Sequence, residues 1–188
     1  MEFAYRDLWA VVHGLVLGVI FLLAFSGALA GVWSFRLGMI TTAGIQERLK
    51  RLYVGLGVMA VAAWATVITG TWVVYPWYRE KLAGAEFELC AGLTRPSAEC
   101  SPRDFLKSNA SGSTELWHNI GMEFKEHIAW AAPILATAAF LLLLYYGPRI
   151  VARPWLRTIL LVLLVSAFAA AVVAGAFGAF ITKIAPLV

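Results

Sequence analysis

The sequence predicts an all-α integral membrane protein, a four-transmembrane-helix bundle with a disulfide-tied external loop between the second and third helices. One observation is composition, because 61% of the 188 residues are hydrophobic and the mean hydropathy is +0.79. The other is that four apolar runs are each long enough to cross a bilayer. The predicted spans are Leu8–Trp33, Leu52–Trp77, Ile128–Gly147 and Thr158–Thr182.

The distribution of charge predicts the orientation of the chain. The two short connections, Ser34–Arg51 and Pro148–Arg157, carry seven basic residues against one acidic residue, Glu47. Because short basic loops stay on the cytoplasmic side, we expect both termini and the long loop on the outer side of a cytoplasmic (inner) membrane. The same excess of basic residues accounts for the pI of about 9.3, so the pI gives no reason to expect a nucleic-acid partner.

The first span contains a histidine close to its start. His13 is followed by 20 uncharged residues, Gly14–Trp33, so we expect its ring at the outer boundary of the membrane. The apolar run starts too early and is too long for the hydrophobic region of a signal peptide.

The second span runs outward into an aromatic belt, which is typical of a membrane interface. The belt consists of Trp72, Tyr75, Trp77 and Tyr78. Pro76 is expected to end or kink the helix. Arg79 and Lys81 follow the belt and are candidates to bind the anionic groups of a cofactor.

The external loop, residues 79–114, contains both cysteines of the chain. Cys90 and Cys100 are spaced C-x9-C, and in an oxidising compartment this spacing predicts a disulfide that closes a small ring. The sequence has no C-x-x-C-H motif, so no covalently attached c-type heme is expected.

The third helix is predicted to extend outward from its apolar run, Ile128–Gly147, to about residue 114. On a regular helix its polar half forms two neighbouring stripes. These stripes are Asn119, Glu123 and His127, and His118, Met122 and Glu126. His127 precedes 20 uncharged residues, as His13 does, so the two rings are expected at the same depth. His118 should point half a turn away from His127 into solvent, which makes it the weaker candidate ligand.

Paired histidines at one depth suggest a heme site. His13 and His127 enter from the same side, and we expect them to face each other and hold the iron of a b-type heme. The Glu123 carboxylate would accept the spare N–H of His127.

In span count and paired histidines the chain resembles the small four-helix membrane b-type cytochromes. A heme held at the outer surface would suit electron exchange with quinol or an external redox protein. The two-heme members of such groups carry four histidines, but here the inner half has no histidine, so only one heme is expected.

Three alternatives remain open at this point. Glu123, Glu126, His127 and His13 offer mixed nitrogen and oxygen ligands for a non-heme metal such as Zn, Cu or Fe. The aromatic belt could instead line a quinone or other small-molecule pocket. The third alternative is a cofactor-free accessory or assembly subunit of a larger membrane complex or homo-oligomer. Nothing in the sequence supports hydrolytic or nucleophilic catalysis, so an electron-transfer subunit is favoured over a stand-alone enzyme.

Overall fold

The computed structural model describes residues 5–35, 41–79, 103 and 116–183, and the regular structure of these residues is helical. Four helices are long and apolar enough to cross a membrane, which confirms the prediction of a multi-pass membrane protein. These four spans are Leu8–Ser34, Ala43–Val74, Trp117–Tyr146 and Pro154–Ile181. The second and third are longer than their apolar runs, because polar helical turns continue them beyond the apolar region.

Three of the four spans each contain one π-helical turn. In the first span this turn is Val12–Val16, between helices Tyr5–Val11 and Leu17–Ser34. In the second it is Gly70–Val74, between Thr42–Thr69 and Tyr75–Arg79. The third span consists of the π-helical turn Trp117–Gly121 and helices Met122–Ala129 and Ala131–Tyr146. A short helix, Arg149–Ala152, leads into the fourth, Pro154–Lys183.

Local sequence signals explain where the helices begin and break. The Thr41 hydroxyl accepts a hydrogen bond from the Gly44 amide at 3.2 Å and so caps the second helix. Gly147 ends the third helix with φ of +49°, a backbone conformation that favours glycine. The break at Trp130 lies three residues before Pro133, whose missing N–H leaves one carbonyl of the helix without its usual partner.

Contacts between antiparallel spans define the two ends of the bundle. At one end Arg48 Nη1 donates to the Ser34 carbonyl at 3.1 Å, and Arg157 Nη1 donates to the Phe35 carbonyl at 2.8 Å. We call this the basic end. The opposite end contains His13, His118 and His127, and we call it the histidine end.

The hydrophobic core occupies the middle and the basic end. Its centre consists of leucine, methionine and alanine side chains that are completely buried: Leu56, Met59, Ala136, Ala139, Leu143, Leu160 and Leu164. Small residues let the second, third and fourth spans approach closely. Phe25 stacks on Phe168 with ring centroids 4.3 Å apart and joins the first span to the fourth.

Replacing Leu164 with alanine should destabilise the bundle by about 2–5 kcal/mol, because the side chain is fully buried and its removal leaves a cavity. Reversible unfolding in detergent would measure the loss. The neighbouring Val165 is 49% exposed, so Val165→Ala is the matched control and should change stability by less than about 0.5 kcal/mol. Equal losses in the two variants would contradict this placement of the core.

Candidate functional site

The three π-helical turns all lie at the histidine end. A π-helical turn inserts one extra residue into a helix, is rare, and often marks a functional site. Two of the turns contain histidines, His13 and His118, and the third contains Gly70. Pro76 does not end the helix, because the chain continues helically beyond the second span as Tyr75–Arg79, directly after the π-helical turn Gly70–Val74. Hydropathy gives no signal for such turns.

His13 packs directly on the backbone of the second span. A Cβ atom at Gly70 would lie 2.6 Å from His13 Cε1, so the contact requires glycine. His13 Nδ1 lies 3.3 Å from Thr69 Oγ1, and that hydroxyl donates its proton to the Ala65 carbonyl at 2.7 Å. With its proton directed at that carbonyl, the hydroxyl presents a lone pair to His13. This arrangement favours the neutral tautomer with the proton on Nδ1 and a lone pair on Nε2, the form that binds metals.

His118 is buried, with only 2% of its surface exposed, so the prediction that it faces solvent is wrong. Its Nδ1 lies 2.9 Å from the Tyr78 hydroxyl. Its Nε2 is buried and has no hydrogen-bond partner in the part of the chain that the structure describes. Buried polar atoms normally have partners, so an unpaired imidazole nitrogen is a candidate ligand position. A regular helical wheel places His118 and His127 on opposite sides of the helix, and in the structure the side that contains His118 is the buried one.

His127 is exposed, whereas the sequence predicts that it faces His13 inside the bundle. Its Nδ1 lies 2.7 Å from the main-chain carbonyl of Glu123, so the backbone and not the Glu123 carboxylate takes its N–H. Lys125 packs against Gly178 of the fourth span, with Cε 3.3 Å from the Cβ position there. Residues two apart on a helix point about 200° apart, so His127 points away from the fourth span and the bundle centre.

Two charged residues of the third span face inward near the histidines. Lys125 packs against Gly178 of the fourth span and interacts electrostatically with His13. Glu126 Oε1 is buried and lacks a hydrogen-bond partner among the described residues. Ionisable side chains inside a membrane bundle are costly and usually serve function. The inward stripe is therefore the one that contains His118 and Glu126, while Glu123 and His127 lie on the exposed side.

The aromatic side chains pack between spans as well as at the interface. Trp130 makes edge-to-face contacts with Trp64 and Trp72 at centroid distances of 6.0 and 6.2 Å. Trp117 stacks on Phe180 of the fourth span at 5.1 Å. These contacts join the third span to its two neighbours around the histidine end.

The predicted non-heme metal cluster is not assembled in the described part of the chain. Across residues 5–35, 41–79, 103 and 116–183, no group of three or more His, Cys, Asp or Glu side chains could hold a metal ion. The side chain of Arg79, all of Lys81, and the predicted disulfide between Cys90 and Cys100 lie outside the described residues. Comparison with protein-family models, curated proteins and solved structures gave no match.

Replacing Gly70 with alanine should displace the His13 ring and destabilise the bundle by about 1–3 kcal/mol, because the new Cβ would overlap Cε1. Thermal unfolding in detergent would measure the change. Gly18→Ala is the matched control, because a Cβ there meets no atom within 4 Å. When His13 is already replaced with alanine, Gly70→Ala should destabilise the bundle much less, because the overlapping ring is gone. An equal loss of stability with and without His13 would contradict the contact.

Proposed function

We propose that the chain is a membrane electron-transfer protein that binds one b-type heme at the histidine end, where His13 and His118 would hold the iron. The supporting observation is that a hydroxyl of the second span holds Nδ1 of each inward histidine, Thr69 for His13 and Tyr78 for His118. Histidines that bind metals generally use one ring nitrogen in this way and bind the metal with the other. His118 replaces the exposed His127 in the ligand pair first predicted.

The positions of the two histidines constrain how a heme would be bound. Thr69 and Tyr78 are nine residues apart on one helix, which corresponds to a rise of about 13 Å. His118 would therefore hold the group from nearer the membrane surface than His13. Such a cofactor would give the chain a one-electron redox group, which none of its own side chains provides.

Lys125 supports the same proposal through its charge. It is half-buried, interacts electrostatically with His13 and packs on Gly178 of the fourth span. A heme has two propionates, and this ammonium group would be a counter-charge for one of them. Arg79 and Lys81 remain candidates for the other.

The remaining features of the proposal concern location and partners. The excess of basic residues in the two short connections favours a cytoplasmic (inner) membrane protein with both termini and the histidine end on the outer side. A heme there would exchange electrons with quinol or with an external redox protein, as part of a larger membrane complex or a homo-oligomer. The Cys90–Cys100 disulfide would form in the oxidising compartment on that side.

The absorption spectrum of the purified protein tests this proposal. The wild-type chain, produced with heme available, should show a Soret band and sharpened bands on reduction with dithionite. His13→Ala and His118→Ala should each lose most of the bound heme, because an iron ligand is removed. His127→Ala should retain the heme, since its ring is exposed and points out of the bundle.

The same three variants show which part of the proposal fails. Heme loss in His127→Ala, with retention in His118→Ala, would restore the original ligand pair and reject the revised one. A wild-type protein that stays colourless would reject heme and favour a cofactor-free assembly subunit. Equal melting temperatures among the variants and wild type, measured without heme, would exclude unfolding as the cause of heme loss.

A further inference from the structure

We propose that a groove at the basic end, between the first and second spans, binds an anionic phospholipid. The groove has a volume of about 660 Å³ and lies at the end of the bundle opposite the histidines. The part of the groove nearer the middle of the bundle is lined by apolar and small residues, and the part nearer the basic end is lined by charged residues of the second helix. The inference is independent of the proposed heme.

The apolar part of the groove is unobstructed at Gly27. A Cβ atom at Gly27 would meet no atom within 4 Å. By contrast, the Cβ positions at Gly31 and Gly55 lie 3.6 and 3.7 Å from atoms of the opposite span, so these glycines serve helix packing. Beside Gly27 the walls are aliphatic and include Leu23 and Val54, whose side chains are 70% and 60% exposed. Such a surface suits an acyl chain.

The rim of the groove is basic. Arg48, Lys50 and Arg51 line it together with a single acidic residue, Glu47. Arg48 donates to the Ser34 carbonyl, and Arg51 Nε donates to Glu47 Oε1 at 2.9 Å. Lys50 and Arg51 are exposed, with the Arg51 side chain 78% accessible, so their remaining N–H groups are available to an external anion.

This combination of features favours a phospholipid over other occupants. The rim lies where the first span ends at Ser34, which is the depth of the lipid phosphates next to an apolar crossing. Basic pockets between spans at this depth bind anionic head groups. A free phosphate ion would make no use of the aliphatic walls. A second copy of the chain in the same orientation would bring its own basic end against the rim, so that like charges meet.

Lipid binding to the purified full-length chain tests the inference, measured by native mass spectrometry with phosphatidylglycerol or phosphatidylcholine added. The wild type should bind phosphatidylglycerol more tightly. Gly27→Leu fills the groove and should weaken this binding by about tenfold or more. Gly18→Leu places the same side chain in open space elsewhere on the first span and should leave it unchanged.

A second variant tests the rim without changing the groove. Lys50→Gln combined with Arg51→Gln should abolish the preference for phosphatidylglycerol, whereas Glu47→Gln should preserve or increase it. Equal binding of the two lipids by the wild type, or an unchanged preference in the doubly substituted protein, would overturn the proposal. So would equal phosphatidylglycerol binding by Gly27→Leu and Gly18→Leu in folded protein.

Discussion

The second span organises the bundle because it supplies hydrogen bonds to its neighbours at several depths. In the apolar part of a bilayer no water is present, so polar side chains must find partners inside the protein. Tyr53 donates to the Leu143 carbonyl at 3.3 Å, and Trp64 donates to Thr137 at 3.0 Å. Farther toward the histidine end, Thr69 and Tyr78 hold the two inward histidines. The position of both imidazoles therefore depends on the same helix.

The two halves of the bundle are packed by different kinds of contact. The basic half contains the fully buried leucine and alanine side chains, such as Leu56 and Leu160. The histidine end is joined by aromatic contacts, by hydrogen bonds to imidazoles and by helices with π-helical turns. Stability is therefore expected to reside in the basic half, where dense apolar packing leaves the other end free to carry polar groups.

The sequence predicted the number and depth of the spans but not the direction of their polar side chains. An uncharged run of 20 residues positions a flanking residue along the membrane normal to within about a turn. This reasoning predicts that His13 lies at the outer end of its span, and in the structure it lies near the start of the span Leu8–Ser34. Direction depends instead on which neighbour each helix packs against. A helical wheel places His118 and His127 on opposite sides of the third helix but does not show which side faces inward, and packing buries His118 and exposes His127.

The contacts between the first and fourth spans have a mechanical consequence. The Phe25–Phe168 stack and the Arg157–Phe35 hydrogen bond both lie in the middle or at the basic end. At the histidine end, His13 is fastened to the second span and Lys125 to the fourth. The first and fourth spans are thus joined in the middle and at the basic end, whereas at the histidine end the two hairpins are linked through the second and third spans, by Tyr78–His118 and Trp72–Trp130. Replacing Tyr78 would therefore loosen the link between the hairpins at the histidine end and leave the leucine core intact.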